Sequence, residues 1–302
     1  MRVAVVDLGT NSTRLLVADV GEDGSVEEIA RRSTVTRLGQ DLERSGVLAR
    51  EAIRRVAVAL EEYRAVIDDL DVDIATGVLT SAARDAANGG ELTALVCGRY
   101  AIDARTITGD EEAQLTYLGA TSERRDDGTT LVVDIGGGST EFVVGSGEEL
   151  LFHVSTQVGV VRHSERHLHD DPPTTEQLQA LRDDVAAEFA EHRQVGIETG
   201  IAVAGTATSC AAMLLELEPY DPDRVEGYVL RRDAVDALLE RTAALTLPQR
   251  RELPGLHPDR APTIIAGIAI LLETMTAFEL GEVTVSEHDI LRGVALSRAR
   301  EG

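Results

Sequence analysis

The feature that most constrains this chain is an internal repeat. Residues 5–17 read VVDLGTNSTRLLV, and residues 132–144 read VVDIGGGSTEFVV. Each copy is an apolar segment, an aspartate, a glycine turn with small hydroxyl residues and a second apolar segment, which predicts a β-hairpin. The turn of such a hairpin can bind phosphate through its backbone N–H groups. The repeat therefore predicts two similar domains whose hairpins hold one phosphate from both sides, with two acidic residues available for a metal.

Length and composition agree with two soluble domains. The 302 residues suit two domains of about 150 residues each. The hydrophobic content of 43% and charged content of 27% are those of a globular protein. The formal net charge of −24 disfavours binding to nucleic acid or to acidic membranes, because both would be repelled. With two cysteines and no recognisable signal peptide, the expected location is the cytoplasm.

The hydropathy pattern predicts a mixed sheet flanked by helices in each half. In the first half, strands are predicted at 2–8, 13–19, 25–36, 72–79 and 104–107, and helices at 50–69, 90–99 and from 110. In the second half, a hairpin is predicted at 130–146, and further strands at 149–157, 200–204 and 282–286. Helices are predicted at 174–193, from the end of strand 200–204 to about 217, at 231–245, at 262–280 and from 288. Residues 163–173 are predicted to form a loop, and the polar segment 122–129 is the predicted hinge between the halves.

A third glycine turn extends the set of phosphate motifs. Gly205 and Thr206 follow the predicted strand 200–204 and open a helix, whose first N–H groups and dipole favour a phosphate. Taken alone, this turn is an ordinary helix cap, and the two hairpins make it a candidate part of the phosphate site. The full set of motifs in chain order is VDLGTNS at 6–12, TRLG at 36–39, TSAARDAAN at 80–88, GDEEA at 109–113, VDIGGGSTE at 133–141, GTAT at 205–208 and SEHDIL at 286–291.

This set of motifs resembles the exopolyphosphatase and guanosine pentaphosphate phosphatase (Ppx/GppA) family of the actin-like ATPase superfamily, over essentially the whole chain. The resemblance implies an α/β fold of two actin-like (ribonuclease H-like) domains, with mixed sheets flanked by helices and the active site in the interdomain cleft. The implied domains are residues 1–124, with the first hairpin and the catalytic glutamate, and residues 125–302, with the second hairpin. The final helix, 288–302, is a candidate to pack back on the first domain.

The resemblance also implies roles for individual residues. Glu112 is the expected general base that deprotonates the attacking water, and Arg84 is the expected catalytic arginine facing the phosphate. Asp134 and Glu141 are the expected metal ligands, for Mg²⁺ or another divalent cation such as Mn²⁺. The expected phosphate-binding residues are Asp7, Gly9, Thr10, Asn11, Ser12, Arg14, Arg37, Gly136, Gly137, Gly138, Ser139, Gly205 and Thr206.

The reaction implied by the resemblance is hydrolysis of the terminal phosphate of inorganic polyphosphate. Short chains are expected, because two acidic domains offer no long basic channel. The alternative substrate is guanosine pentaphosphate, through its 5′ γ-phosphate. An actin-like small-molecule kinase and a non-enzymatic phosphate sensor are more distant alternatives, which the motifs at 80–84 and 111–113 disfavour. The expected partners are the phosphate substrate and a second copy of the chain in a homodimer, with no nucleic acid and no membrane.

The segment at 162–171, RHSERHLHDD, leaves two interpretations open. His163 with His167, and Glu165 with His169, have the i, i+4 spacing that a helix brings to one face, as in a transition-metal site. No helical apolar stripe frames them, however, and members of the family carry a similar GxxRxxERxL segment. Arg162 and Arg166 are therefore also candidate phosphate contacts.

Overall fold

The computed structural model of this chain describes residues 1–124, 128–147 and 149–301. The chain divides into two compact units: Met1–Glu123 together with the segment that starts at His288, and Arg124–Glu287. The predicted hinge at 122–129 overlaps the first crossing between them. Its residues 125–127 lie outside the described part of the chain.

The first unit is built on a mixed sheet. Its strands are β1 (Arg2–Leu8), β2 (Ser12–Val20), β3 (Val26–Val35), β4 (Ile74–Leu79) and β5 (Asp103–Thr106). Its helices before the crossing are α1 (Leu42–Ser45), α2 (Arg50–Asp69), α3 (Ser81–Asp85), α4 (Gly89–Tyr100) and α5 (Gly109–Thr121). The strand order is β3-β2-β1-β4-β5, in which β1, β2 and β3 are antiparallel and β1, β4 and β5 are parallel.

Strand β1 is the centre of this unit because it is buried on both faces. Its side chains alternate between the two faces of the sheet, as strand geometry requires. Val6 packs in a core with the apolar face of α2, including Val56 and Leu60. Val5 belongs to the core on the opposite face, with Leu291. The sheet therefore holds the end of β1, and Asp7 with it, between two layers of helices.

The second unit repeats this architecture with an additional strand. Its strands are β6 (Thr130–Ile135), β7 (Thr140–Ser146), β8 (Glu149–Thr156), β9 (Thr199–Val203), β10 (Val229–Arg231) and β11 (Glu282–Val285). Its helices are α6 (Val160–His167), α7 (Thr175–Ala190), α8 (Ala204–Leu214), α9 (Pro222–Val225), α10 (Arg232–Ala243), α11 (Leu247–Arg251) and α12 (Ile264–Ala277). The last helix, α13 (Ile290–Glu301), belongs to the first unit and packs on α5 and β1.

The internal repeat extends to the topology of the sheets. The second sheet has the order β10-β11-β9-β6-β7-β8. Strands β8-β7-β6-β9-β11 lie side by side in this sheet. Their spatial order and pairing directions match those of β3-β2-β1-β4-β5 in the first unit. The predicted fold class of two mixed sheets flanked by helices is confirmed. Within the described residues, no helix is both long and apolar enough to cross a membrane.

One predicted loop is wrong. Residues 163–167 continue helix α6, which begins at Val160, and the loop starts only after His167. Helix α6 forms because Val160, Val161 and His163 are buried against the second core. The short elements α1, α3, α9, α11 and β10 were also absent from the prediction, since three to five residues carry no measurable periodicity.

Candidate active site

The turns of the two repeated hairpins have the same backbone structure. In the first turn, the N–H of Gly9 donates to the carbonyl of Ser12 at 3.0 Å. In the second, the N–H of Gly136 donates to the carbonyl of Ser139 at 2.9 Å. The sequence repeat thus produces two equivalent turns, each at the end of a central strand and directly after a buried aspartate.

Two of the quoted motifs, TRLG and TSAARDAAN, donate hydrogen bonds to the first turn. The carbonyl of Thr10 accepts from the N–H of Gly39 at 2.8 Å, and its Oγ1 accepts from the N–H of Ala82 at 3.2 Å. The carbonyl of Asn11 accepts from the N–H of Arg37 at 2.8 Å. The TRLG and TSAAR segments therefore converge on this turn. Arg37 is placed beside the turn by its backbone, and a phosphate contact by its side chain stays a prediction.

The second turn is held by the start of α6. The N–H groups of Val160 and Val161 donate to the carbonyls of Gly136 and Gly137, at 2.9 and 2.8 Å. A Cβ at Gly159 would lie only 2.4 Å from the Gly137 carbonyl oxygen, so this position requires glycine. The Nε of Arg162 donates to the Gly138 carbonyl at 3.0 Å, which places this candidate phosphate contact on the turn itself.

The two hairpins differ in the residue opposite the aspartate. In the first, Asp7 pairs in register with Arg14, whose Nε and Nη2 donate to Asp7 Oδ2 at 2.9 and 2.7 Å. Arg14 also donates through Nη1 to Asp289, at the start of α13. Arg14 therefore neutralises two buried carboxylates in this structure, and its contact with phosphate stays a prediction.

In the second hairpin the residue opposite the aspartate is another acid. Asp134 pairs in register with Glu141, and both are buried, with 7% and 1% of their surface exposed. Directly opposite residues in an antiparallel pair have Cβ atoms about 4.5–5.5 Å apart and point to the same face, where like charges are destabilising. Ser155 Oγ donates to Glu141 Oε1 at 2.7 Å and fixes that side chain.

This pair of carboxylates fits a divalent cation. Mg²⁺ prefers hard carboxylate oxygens, and it usually binds through one or two carboxylates together with phosphate oxygens and water. The register of one hairpin thus brings Asp134 and Glu141 together, and metal binding by this pair stays a prediction.

One carboxylate oxygen of Asp7 also indicates a binding site. This atom, Oδ1, is buried and has no hydrogen-bond partner within the described residues. Unpartnered buried oxygens are uncommon in folded proteins and call for a bound group or water. Burial raises the pKa of Asp7 above its ordinary value, and the Arg14 guanidinium offsets part of that shift. The protein therefore maintains a carboxylate at this turn at a cost in stability.

This cost gives a pH-dependent prediction. A carboxyl whose pKa is higher in the folded than in the unfolded protein destabilises the fold as the pH rises through that range. Relative to wild type, Asp7→Asn should therefore gain unfolding free energy as the pH rises from the ordinary carboxyl pKa of 3.8 towards neutrality. Urea unfolding across this range measures the difference. Asp19→Asn is the control: the hydrogen bond from Arg2 lowers the pKa of Asp19, so its stability difference from wild type changes mainly below pH 3.8 and should stay flat above it. A flat difference for Asp7→Asn above pH 3.8, or an equal rise for both variants, would contradict the prediction.

The two adjacent glutamates of α5 have different environments. Glu111 completes a capping box with Thr108 and pairs with Arg105, and 41% of its side chain is exposed. Glu112 faces inwards with 9% of its side chain exposed, and its Oε2 accepts from Arg84 Nη1 at 2.9 Å. Arg84 Nη1 also donates to the Ile107 carbonyl at 3.1 Å, so the guanidinium is anchored. The predicted base and the predicted catalytic arginine therefore form one ion pair, in which Glu112 is buried and Arg84 is partly exposed.

The third turn is adjacent to the second hairpin in the same sheet. Val203, the last residue of β9, pairs in parallel register with Asp134, so Gly205 and Thr206 start α8 beside the second turn. A Cβ at Gly205 would lie 1.6 Å from Arg260 Nη1. Arg260, a cation at this turn, was missed by the sequence analysis because its loop carries no motif. Asp289 lies within a quoted motif, but only the fold reveals its pairing with Arg14.

The repeated sheet topology and the paired glycine turns define a two-unit α/β protein with an equivalent glycine turn in each unit. The model of the Ppx/GppA phosphatase family matches residues 3–301. This chain therefore belongs to the Ppx/GppA phosphatase family, as the motif set indicated.

Individual relatives are similar over their whole length. Exopolyphosphatase 2 of Mycobacterium tuberculosis is 39% identical over 319 aligned positions, which cover 99% of this chain and 98% of that protein. The crystal structure of the Aquifex aeolicus Ppx/GppA family member is 31% identical and has a TM-score of 0.85, covering 100% of this chain and 98% of the other. An exopolyphosphatase structure from Cytophaga hutchinsonii, at 24% identity and a TM-score of 0.89, shares the fold.

Proposed function

We propose that this chain is an exopolyphosphatase, which hydrolyses the terminal phosphoanhydride bond of inorganic polyphosphate. Family membership and the 39% identical exopolyphosphatase support this function. The observation that carries it is the role of α3 in the first unit. Ala82 of this helix donates to Thr10 in the glycine turn, and Arg84 of the same helix donates to Glu112. One short helix thus connects a phosphate-binding turn to a buried carboxylate.

In the proposed reaction, a water oxygen attacks the terminal phosphorus and its proton passes to the Glu112 carboxylate. The bond between the terminal phosphorus and the bridging oxygen breaks, and the shortened chain departs with that oxygen. Arg84 orients Glu112 and offsets charge on the transferring group. The backbone N–H groups of the first turn, which lies in the same unit as Glu112, hold the phosphoryl group in position, which is the main requirement for phosphoryl transfer.

Asp134 and Glu141 are the residues we propose to hold Mg²⁺ or Mn²⁺. When bound, such a cation offsets the negative charge of the phosphate oxygens. Asp7 supplies an acceptor oxygen, Oδ1, for water or a protonated phosphate group at the first turn. Arg37 and Arg260, which lie beside the first and third turns, are the proposed contacts for phosphates further along the chain.

Short polyphosphate is the proposed substrate class. A long polyanion needs an extended row of cations, whereas this chain has a formal net charge of −24. The arginines described above are local to single turns. They suit a few phosphate groups better than a polymer of many.

Initial rates of phosphate release on four substrates test this proposal. With Mg²⁺ present, we expect kcat/KM for short polyphosphate to exceed that for long polyphosphate, guanosine pentaphosphate and ATP by at least about tenfold, which corresponds to about 1.4 kcal/mol. Glu112→Gln, purified identically, corrects for contaminating phosphatases. A higher kcat/KM for guanosine pentaphosphate would instead support the alternative substrate. Substrate binding without phosphate release by wild type would support a sensor.

A further inference from the structure

A cluster of metal-binding side chains lies on α6 and α7, outside the residues assigned to the phosphate reaction. His163 and His167 are one helical turn apart on α6, with ring centroids 5.8 Å apart, and Asp184 approaches from α7. Asp184 Oδ2 lies 2.8 Å from His167 Nε2 and 3.6 Å from His163 Nε2. One potential ligand atom from each residue lies within 4.8 Å of the others.

These separations suit a small divalent cation. Zinc bonds to nitrogen and carboxylate oxygen are about 2.0–2.2 Å long, so neighbouring ligands of a tetrahedral zinc lie about 3.3 Å apart. The separations found here bracket that distance. Two imidazoles and a carboxylate leave the fourth position to water, and imidazole favours zinc-class metals over Mg²⁺.

His163 is prepared for this role by its surroundings. It is buried, with 2% of its surface exposed. Its Nδ1 lies 3.2 Å from the Gly159 carbonyl oxygen and 3.3 Å from the Gly159 amide nitrogen. A metal at Nε2 selects the tautomer whose Nδ1–H donates to the carbonyl, the usual support of a metal-bound histidine.

We propose that His163, His167 and Asp184 form a binding site for a divalent transition metal of the zinc class. The bound metal cross-links α6 to α7. Since the start of α6 holds the second glycine turn through Val160 and Val161, the site stabilises the support of that turn. This role is structural and separate from the Mg²⁺ proposed at Asp134 and Glu141.

Arg166 makes the proposal sharply testable. Its Nη1 donates to Asp184 Oδ2 at 2.9 Å, so this guanidinium competes with a metal for the same oxygen. The Arg166 side chain is 38% exposed. Removing it should therefore strengthen metal binding, whereas removing a ligand should weaken it. A cluster that serves only as an ion pair predicts no gain from the Arg166 variant.

Calorimetric Zn²⁺ titration of the metal-free full-length protein, in excess Mg²⁺ to occupy carboxylate sites, measures these effects. We expect one strong site, at least about tenfold weaker binding in His167→Gln and Asp184→Asn, and tighter binding in Arg166→Gln. His169→Gln is the control that should keep wild-type affinity. Equal Zn²⁺ affinity in wild type and His167→Gln would overturn the proposal.

Co²⁺ substitution of the wild-type protein provides a test that requires no variant. A three-ligand site closed by water should give the visible absorption bands of four-coordinate Co²⁺, and Zn²⁺ should remove them. Zn²⁺ should also raise the melting temperature of wild type by mass action on the folded state. Absence of both the bands and the thermal shift would overturn the proposal, even if the Asp184 variant fails to fold.

Discussion

Glu112→Gln is expected to lower the turnover number on polyphosphate by at least about 10², the lower end of the contribution of a general base. The amide keeps the size of the side chain and can still accept from Arg84, but it cannot take the proton of the attacking water. Substrate affinity should change little, because Glu112 is assigned to the chemical step. Steady-state phosphate release, with substrate binding measured by calorimetry, separates the two quantities.

Glu111→Gln is the matched control for this experiment. It makes the same chemical change one position earlier on α5, at a side chain that caps the helix instead of facing Arg84. Glutamine also serves in a capping box, so the fold and the turnover number should be retained. Near wild-type turnover in Glu112→Gln, or an equal loss in Glu111→Gln, would remove Glu112 from the role of base.

The second large effect is expected at the carboxylate pair of the second hairpin. Asp134→Asn and Glu141→Gln should each raise the Mg²⁺ concentration for half-maximal activity by about tenfold or more, because each removes an anionic oxygen from the proposed site. Activity titrations with Mg²⁺ at fixed substrate concentration measure this change.

Glu149→Gln is a suitable control, since Glu149 is exposed on β8 of the same sheet and should leave the Mg²⁺ requirement unaltered. Unchanged Mg²⁺ dependence in both Asp134→Asn and Glu141→Gln would contradict the assignment of the ligands. Full wild-type activity in excess chelator would contradict metal catalysis itself.

Much of the fold was predictable because its signals are local and repeated. Helix α2 was predicted at 50–69 and spans those residues, since its apolar stripe is long and regular. The hairpins followed from the repeat, and the short turn between the paired strands sets their register. Helix α6 was missed because its eight residues include only two apolar side chains, and its stability comes from the burial of Val160 and Val161 and from their hydrogen bonds to the second turn.

The sequence predicted which residues belong to the candidate site, but not which of them form ion pairs with one another. The motif set named Asp7, Arg14 and Glu112, yet only the three-dimensional structure shows Arg14 held between Asp7 and Asp289. The separate environments of Glu111 and Glu112 likewise depend on how the start of α5 meets Arg84. Long-range ion pairs of this kind arise from tertiary packing, on which a single sequence carries no direct signal.

Isotope labelling of the released phosphate tests the central proposal most directly. Short polyphosphate is incubated with the protein and Mg²⁺ in H₂¹⁸O, and the released phosphate is analysed by mass spectrometry, with end-capped polyphosphate as the control substrate. Hydrolysis at the chain end predicts one ¹⁸O in each phosphate released and no release from the capped chain. Release from the capped chain, or phosphate transferred to an acceptor without ¹⁸O, would contradict the assignment as an exopolyphosphatase.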